Sequence, residues 1–417
     1  MNADARVLHA RRQRRARFPN QIHVDAISGE CERVILHPWT STEIAKYNHR
    51  CLHRELSEEP NIDVLRVALV VGDTAGHTHP ALAVADAMSA QAGGADILFL
   101  GTADSVAASI VQQAGHAFAP VPGSAIRNAN LLGLARAAHY SLQAIAVTRQ
   151  TLRAHRTQLA MGFGGFASGG VLLAARTLGL PTAILEANVE LGLANRWLRP
   201  WMRRVFQGLG APHPSVTGVP VRPSIVALRD RAPQPPHQTL RILVVSGSRG
   251  ADFFAACLPP VFHRLMAEGI RVEVWQQCAA PQPLREQYVA LSIDATVDAF
   301  ISDTAAAYAW ADVAITRGGA NTIAELAIAG LPALLVPLAD ASANHQAANA
   351  ALWQRTGAGL ALSEREWRED AVTAWLHTMA TETAARSAAT HAARRLAHPD
   401  AAIHIADACA QLIRAAS

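Results

Sequence analysis

Short runs of apolar, largely β-branched residues recur along the chain, and each is followed by a glycine-containing turn and an amphipathic stretch. Continuous apolar runs of this length are typical of strands that are buried on both faces of a parallel sheet. Repeated succession of strand, glycine turn and helix predicts a parallel sheet with helices on both faces. The strands predicted in this way lie at 66–71, 95–100, 159–161, 181–185, 241–245, 272–275, 295–297, 313–316 and 331–337.

A stretch rich in proline and polar residues interrupts this alternation at 223–238 and is typical of a domain linker. The pattern restarts after it, so the predicted fold class is α/β, with two doubly wound parallel-sheet domains that face a central cleft. Ligands of such sheets bind at the carboxyl ends of the strands, which places the expected site in the cleft. The predicted organisation is an extension over 1–62, a first domain over 63–222, the linker over 223–238, a second domain over 239–395 and a C-terminal helix over 396–417.

The composition favours a cytoplasmic, globular protein. Of the 417 residues, 50% are hydrophobic and 17% are charged, which is sufficient for two sizeable cores. No apolar run reaches the eighteen or so residues that a membrane-spanning helix needs, and no secretory signal is expected. The five cysteines are scattered and odd in number, which favours a reduced compartment. A net charge of +4 permits an anionic substrate or membrane surface and does not favour nucleic acid as a partner.

The first 62 residues differ from the rest, because arginines cluster there and no strand–helix alternation follows. We expect a solvated, partly disordered extension that catalysis does not require. A basic arm that touches anionic lipid is a second interpretation. A metal site is a third, although the spacing of its candidate ligands matches no familiar zinc pattern. Those ligands would be Cys31, His37, His49, Cys51 and His53.

The strand at 313–316 leads through two glycines into a helix that is expected to begin near Ala320. We expect Asn321 or Thr322 to cap this helix. Its free N–H groups and positive dipole end suit an anion such as a pyrophosphate. Glu325 lies one turn further on, where a carboxylate can accept hydrogen bonds from the vicinal hydroxyls of a ribose. Taken alone, the segment is equally compatible with an ordinary βαβ unit whose glycines only make the turn.

Two glycine loops in the first domain are expected to reach the same cleft. The loop at 72–77 precedes a helix predicted over 80–89 and can hold an anion at the helix N-terminus. Its His77 is a candidate general base near neutral pH, or else a residue that caps or packs the helix start. The second loop, at 164–168, is another glycine turn before a predicted helix.

Further polar side chains follow predicted strands on the same side of the sheets. Arg222 is a candidate partner for phosphate, although a lone arginine is more often a surface residue. Ser248 and the N–H groups around it lie in the opening turn of the second domain and are candidates to bind phosphate. His345 and Gln346 are candidates to meet sugar hydroxyls. No carboxylate pair stands where a metal would be held, so no metal site is predicted for this cleft.

In order along the chain, these loops carry the motifs of a known family. From Val64 to the C-terminus the chain resembles the MurG family, the lipid I N-acetylglucosaminyltransferases of peptidoglycan synthesis, which are two-domain GT-B enzymes. The matches are too many and too well ordered for coincidence. They are Gly72-x-Thr-x-Gly-His-x-x-Pro-Ala-Leu-Ala-Val84, Gly164-Gly-Phe-x-Ser-Gly169, Glu186-x-Asn188, Asn195-x-Trp-Leu198, Gly218-x-Pro-Val-Arg222, Gly247-Ser-x-Gly-Ala251, Phe300-Ile301, Ala305-Ala-Ala-Tyr-Ala-Trp-Ala-Asp312, Arg317-x-Gly-Ala320, Thr322-x-x-Glu325 and His345-Gln-x-x-Asn349.

The resemblance implies an inverting transfer of N-acetylglucosamine from UDP-GlcNAc to lipid I, without metal or cofactor, which gives lipid II. The first domain would then hold the acceptor and the second domain the donor. The implied catalytic residues are His77, as base for the acceptor hydroxyl, and Glu325, which would hold the donor ribose. The donor-binding residues would be Asn188, Arg222, Ser248, Ile301, Ala320, Asn321, Thr322, Glu325 and Gln346. The acceptor-binding residues would be Thr74, Ala75, Gly76, Gly164, Gly165 and Phe166.

The first glycine loop departs from the family pattern, because Asp73 and Ala75 stand where the family has glycine. Asp73 would put a negative charge beside the acceptor pyrophosphate, and at about 5 Å and an effective dielectric near 20 such a pair costs on the order of 3 kcal/mol. A MurG-like paralogue that transfers a UDP-linked sugar to a different acceptor is therefore an alternative. A binding module without catalysis is a third interpretation, which the retention of His77, Glu325 and Gln346 disfavours.

The segment at 196–204 interleaves arginines with Trp197 and Trp201. Such a mixture is typical of a surface that lies at the headgroup boundary of an anionic membrane. The alternative is a helix edge that packs on its own core. The membrane interpretation predicts a peripheral protein on the inner face of the cell membrane. A second apolar cluster of the same kind is formed by Leu131, Leu132 and Leu134.

Overall fold

The computed structural model describes residues 64–121, 144–211, 213–230, 239–246, 251–338 and 344–416. The predictions for the first 62 residues, for Ser248 and for the leucines at 131, 132 and 134 lie outside these described residues.

The first sheet has six strands in the order β3-β2-β1-β4-β5-β6, and each neighbouring pair is parallel. The central strand β1 pairs on both sides: Val67 lies opposite Ile97 of β2 and opposite Leu159 of β4. It is buried from Val67 onward, as its apolar run predicts. The strands are β1 Leu65–Val70, β2 Ala95–Gly101, β3 Ala117–Pro120, β4 Leu159–Gly162, β5 Thr182–Glu186 and β6 Arg204–Gln207.

The helices that cover the first sheet lie in the connections between its strands. Among the described residues they are α1 Ala75–Ser89, α2 Val106–Gln113, α3 at 144–154, α4 Phe166–Thr177 and α5 Leu193–Leu198, which continues into a 3₁₀ turn at Arg199–Trp201. Helix α1 begins at Ala75, five residues before the predicted start at position 80. Proline is common in the first turn of a helix, which is why Pro80 suggested a start there. Instead Pro80 lies inside the helix, and His77 belongs to the first helical turn.

The second sheet repeats the plan of the first, with six parallel strands in the order β12-β11-β10-β7-β8-β9. Numbered from its own first strand, it has the same 3-2-1-4-5-6 order as the first sheet, the order of doubly wound nucleotide-binding domains. Its strands are β7 Thr239–Val245, β8 Arg271–Gln277, β9 Asp294–Asp298, β10 Val313–Thr316, β11 Ala333–Leu335 and β12 Gly359–Ala361.

The helices of the second half begin with the short α6 and end with a helix that returns to the first sheet. They are α6 Pro223–Val226, α7 Ala251–Ala267, α8 Pro281–Ala290, α9 Thr304–Trp310, α10 Ala320–Ala329, α11 Asn344–Thr356, α12 Glu369–Thr381, α13 Thr383–Arg394 and α14 Ala401–Arg414, with a 3₁₀ turn at Glu364–Glu366. Within the described ranges, no helix is both long enough and apolar enough to cross a bilayer.

The predicted strands are confirmed to within two residues at each end. Three strands were not predicted, namely β3, β6 and β12, and all three lie at a sheet edge. They have only three or four residues each, fewer than the roughly five or six of a typical strand, so their apolar residues form no distinct pattern. Hydrophobic patterning therefore identifies central strands and overlooks short edge strands.

The last helix, α14, packs against the first sheet and not against the second. Ile405, Cys409 and Ile413 belong to the same buried cluster as β1 and α1. A hydrogen bond of 2.7 Å from Gln91 Nε2 to Asp407 Oδ1 joins α14 to the residues after α1. The chain thus crosses back to the first domain at its end. The predicted domain boundaries themselves stay predictions.

Candidate functional site

The two glycine loops of the first domain meet around the side chain of His77. A Cβ atom on Gly72 would lie 2.4 Å from His77 Nδ1, and one on Gly164 would lie 2.9 Å from His77 Nε2. Gly165 lies against Gly72 in turn, because its Cβ would come within 2.6 Å of the Gly72 Cα. Gly164 and Gly165 also have φ angles of 109° and 85°, which glycine adopts without strain. The structure therefore brings together the two loops predicted to bind the acceptor, with the imidazole between them.

The electrostatic surroundings of His77 favour the neutral imidazole. Burial lowers the pKa of His77 below its ordinary value, while the negative charges of Asp73 and Glu186 raise it in part. Its Nδ1 lies 3.3 Å from the Thr74 hydroxyl. A neutral imidazole held in this way can accept a proton, which suits the predicted role as a base.

The residues of the first loop differ in how open they are. Asp73, Thr74 and Gly76 are exposed, and Ala75 is half-buried. Thr74 is the N-cap of α1, but its side chain makes no capping hydrogen bond. In the second loop, Gly165 is the N-cap of α4, which begins at Phe166 as a glycine turn before a helix predicts. Both helices thus present N-terminal turns to the same space.

The carbonyl of Gly76 connects the first loop to the second domain. In an α-helix this carbonyl would accept from the N–H of residue 80, but Pro80 has none. Asn321 of α10 supplies the missing donor, with its Nδ2 at 2.7 Å from the Gly76 oxygen. The proline inside α1 therefore frees an acceptor that a side chain of the other domain satisfies.

Helix α10 begins at Ala320, as predicted, but the predicted cap is wrong. Gly319 is the N-cap, and no side chain makes a capping hydrogen bond there. Asn321 donates to Gly76 instead, and Thr322 is half-buried. Because no side-chain acceptor covers the first turn of α10, its N–H groups remain suited to an anion.

Glu325 and Arg222, both predicted to bind the donor, lie next to each other. Arg222 Nη2 donates to Glu325 Oε1 at 3.2 Å and to the Thr304 hydroxyl at 2.5 Å. The Tyr308 hydroxyl donates to the other oxygen, Glu325 Oε2, at 2.8 Å. Burial raises the pKa of Tyr308 well above its ordinary value, so this hydroxyl stays protonated. The carboxylate of Glu325 is therefore held in place from two sides.

The remaining predicted donor residues are placed as follows. Gln346 Oε1 accepts a hydrogen bond of 3.2 Å from the N–H of Leu338, and Ala320 is 8% exposed. Ile301 is buried in the same hydrophobic cluster as Tyr308 and the buried residues of α10. Asn188 uses its side chain within the protein: its Nδ2 donates to Glu186 Oε1 at 3.0 Å, and its Oδ1 accepts from Asn349 at 3.0 Å.

Three residues of this site were not singled out from the sequence, although each stands in or beside a quoted motif. Tyr308 and Thr304 orient Glu325 and Arg222, and Asn349 joins Asn188 to the second domain. For Asn349 a signal was present, because it lies three residues after Gln346 and so on the same face of one helix. Tyr308 stands in the quoted motif at 305–312, which assigns it no role of its own, and Thr304 directly precedes that motif.

Two parallel-sheet domains of 3-2-1-4-5-6 order, whose glycine turns meet across a cleft, define the class of this protein as a GT-B glycosyltransferase. The domain profiles agree: residues 67–207 match the glycosyltransferase family 28 N-terminal domain and residues 241–405 match the glycosyltransferase family 28 C-terminal domain. Together these matches cover both sheets.

Among curated proteins, the chain is 36% identical to the UDP-N-acetylglucosamine--N-acetylmuramyl-(pentapeptide) pyrophosphoryl-undecaprenol N-acetylglucosamine transferase of Cellvibrio japonicus, over 84% of this chain and 98% of the relative. It is 39% identical to the enzyme of the same name from Alcanivorax borkumensis, over 72% of this chain and 85% of the relative. The crystal structure of Acinetobacter baumannii MurG superposes with a TM-score of 0.66 at 27% identity, over 83% of this chain and 99% of that chain. The chain therefore belongs to glycosyltransferase family 28 and, within it, to the MurG family.

Proposed function

We propose that this chain transfers N-acetylglucosamine from UDP-GlcNAc to lipid I and so forms lipid II in peptidoglycan synthesis. Its relatives are named as enzymes that transfer N-acetylglucosamine from UDP-N-acetylglucosamine to the N-acetylmuramyl-(pentapeptide) pyrophosphoryl-undecaprenol acceptor. The observation that carries the proposal is the position of His77. Its imidazole lies between the two glycine loops, on the helix whose Gly76 carbonyl accepts a hydrogen bond from Asn321 in the first turn of α10. A neutral base thus stands beside a helix N-terminus that suits a leaving diphosphate.

In the proposed reaction the acceptor hydroxyl oxygen forms a bond to the anomeric carbon while the bond from that carbon to the diphosphate breaks. The acceptor proton passes to His77, and the electron pair of the broken bond leaves with UDP. Attack on the face opposite the leaving group inverts the anomeric centre. The negative charge of the leaving diphosphate faces the first turn of α10 and Arg222, which stabilise it without a metal.

The donor roles of the second domain belong to the same proposal. Glu325 accepts hydrogen bonds from the ribose hydroxyls, and Arg222 and Tyr308 hold its carboxylate ready for them. Gln346 and Asn188 contact the sugar, the backbone at Ile301 reads the uracil edge, and Ser248 contacts phosphate.

The experiment that tests the reaction type is product analysis with purified protein, UDP-GlcNAc and a lipid I analogue. We expect a β-linked disaccharide product by NMR, because the donor sugar is α-linked and inversion changes its configuration. We also expect the rate to stay the same when a chelator is added. A product with the configuration of the donor, or a rate abolished by chelation and restored by a divalent cation, would contradict the proposed mechanism.

We propose further that the protein binds the inner face of the cell membrane through the surface around α5. Trp197 is 79% exposed and Trp201 is 56% exposed, so neither packs on the core of the first domain. Leu193 beside them is 74% exposed, and the arginines at 196, 199, 203 and 204 are all exposed. Apolar rings surrounded by arginines suit the headgroup boundary, where a lipid-linked acceptor is presented.

A further inference from the structure

Asn349 is a fully buried amide that holds parts of both domains at once. It lies on α11 of the second domain and has 0% of its surface exposed. Its Oδ1 accepts a hydrogen bond of 3.0 Å from the N–H of Val189 in the first domain. Its Nδ2 donates to Asn188 Oδ1 and to the Gly318 carbonyl, each at 3.0 Å. One side chain thus joins the loop after β5 to the loop after β10.

The loop after β5 is itself fixed by a second buried side chain, Glu186. One carboxylate oxygen of Glu186 accepts from the N–H and the side-chain amide of Asn188, both at 3.0 Å. The other oxygen accepts from the N–H of Gly192 at 2.9 Å and from Asn195 Nδ2 at 2.8 Å. The same carboxylate raises the pKa of His77, so it lies within electrostatic reach of the imidazole. A shift of this loop would therefore change the electrostatic environment of His77.

On the second domain, Asn349 acts at the base of the donor turn. Gly318 directly precedes the N-cap of α10, and a Cβ on Gly318 would lie 2.5 Å from the Gln346 carbonyl oxygen. The start of α11 is thus pressed against the donor turn, and Asn349 reaches past this contact into the first domain.

We propose that Asn349 is a positioning residue that sets the first-domain loop 186–192 against the donor turn 317–320. The inference rests on the proposed function for its kinetic consequences and on the hydrogen bonds alone for its structural ones. The proposed role needs no contact between Asn349 and either substrate. Asn349 acts through Asn188 and Gly318, and its loss removes a partner from the N–H of the half-buried Val189 and from the carbonyl of the buried Gly318.

The test compares Asn349→Ala with the nearly isosteric Asn349→Asp. The aspartate keeps an oxygen for the Val189 N–H but places a second oxygen against the Gly318 carbonyl and Asn188 Oδ1. The matched control is Gln354→Ala on the same helix, because Gln354 accepts from the N–H of Ala361 within the second domain only. Three quantities are measured for each variant: kcat/KM with a lipid I analogue, the Kd for UDP, and hydrogen exchange at the Val189 amide.

We expect both Asn349 variants to lose at least tenfold in kcat/KM while the Kd for UDP changes by less than threefold. Exchange at the Val189 amide should accelerate at least tenfold in Asn349→Ala, while amides of β7 keep their protection. Gln354→Ala should match the unaltered protein in all three measurements. If kcat/KM is unchanged, or if UDP affinity falls as much as kcat/KM, the positioning role is wrong.

A double-mutant cycle that combines Asn188→Ala with Asn349→Asp gives a second route to the answer if Asn349→Ala folds poorly. Because the two amides act through one contact, the combined loss in kcat/KM should be smaller than the product of the single losses. Independent effects would contradict the proposal. If the unaltered protein transfers nothing to the lipid I analogue, the proposed function fails, and the exchange at Val189 still decides the role of Asn349.

Discussion

At the scale of single residues, the site depends on the protonation state of His77. Burial lowers the pKa of this imidazole, and the carboxylates of Asp73 and Glu186 raise it. Asp73 is exposed at the mouth of the first glycine loop, whereas Glu186 is 3% exposed and occupied by four hydrogen bonds. Asp73 is therefore the group through which the base can be tuned without disturbing the fold.

Asp73→Asn should shift the acidic limb of the pH profile of kcat/KM to lower pH. The change removes a negative charge that raises the pKa of His77, so the imidazole loses its proton at lower pH and stays a base over a wider range. Asp86→Asn, at an exposed position of the same helix, should leave the limb in place. A limb that stays put or moves to higher pH in Asp73→Asn would show that His77 is not the titrating base.

At the scale of elements, the two glycine loops pack against the His77 ring and fix its position. Gly72→Ala would place a methyl group 2.4 Å from His77 Nδ1 and 3.1 Å from the Gly165 Cα, so the ring must move. We expect kcat to fall at least tenfold while UDP binding is unchanged, because a misplaced base slows the proton transfer. Gly169→Ala is the control, since a Cβ there meets nothing within 4 Å. Equal activity of the two variants would contradict the claim that the glycine loops fix the position of His77.

A second contact at this scale is the hydrogen bond from Asn321 of α10 to the Gly76 carbonyl of α1. Asn321→Leu keeps the branched shape of the side chain but removes the donor to the Gly76 carbonyl, a hydrogen bond worth about 0.5–1.5 kcal/mol. We expect the KM for the acceptor to rise by about two- to tenfold. In a Pro80→Ala background the new N–H can serve Gly76 within the helix, so the same change at Asn321 should then cost less. An equal cost in both backgrounds would show that the Gly76 contact is not what Asn321 contributes.

Local elements could be read from the sequence because their causes are local. The strand–glycine–helix units around Gly164 and Ala320 follow from short apolar runs and glycine turns: Gly164 has a positive φ, and Gly318 leaves no room for a Cβ. The start of α1 was misplaced because Pro80 is tolerated inside this helix, where the Asn321 amide replaces its missing N–H as the partner of Gly76. The cap of α10 was misassigned for the same reason, since Asn321 has a partner in the other domain.

Contacts between distant segments could not be read in this way. Asn349 and Asn188 are 161 positions apart, and no periodic pattern relates them. The return of α14 to the first sheet is likewise a matter of topology, because its apolar face fits either domain until the path of the chain is known. The motifs named the loops of the site correctly, but only the fold shows which of their side chains bind one another.

At the scale of the whole molecule, the exposed surface around α5 should govern membrane binding. Replacing Trp197 and Trp201 by serine should lower co-sedimentation with anionic vesicles at least tenfold, because two exposed rings no longer enter the headgroup region. Val289→Ser is the control, since Val289 is 76% exposed on α8 of the second domain. High salt should weaken binding of the unaltered protein, because arginine contacts with anionic lipid are screened. Failure of the unaltered protein to sediment with anionic vesicles at low salt would refute the membrane proposal.

The central claim is transfer of N-acetylglucosamine to lipid I, and its most direct measurement is the steady-state rate at which purified protein attaches labelled sugar from UDP-GlcNAc to a lipid I analogue. The account predicts turnover that requires both substrates and that falls by about 10²–10⁴-fold in His77→Ala, the usual contribution of a general base. The contradicting result is a protein that binds UDP-GlcNAc yet transfers nothing to the lipid I analogue. That outcome would indicate that Asp73 and Ala75, where the loop departs from the family pattern, adapt the site to a different acceptor.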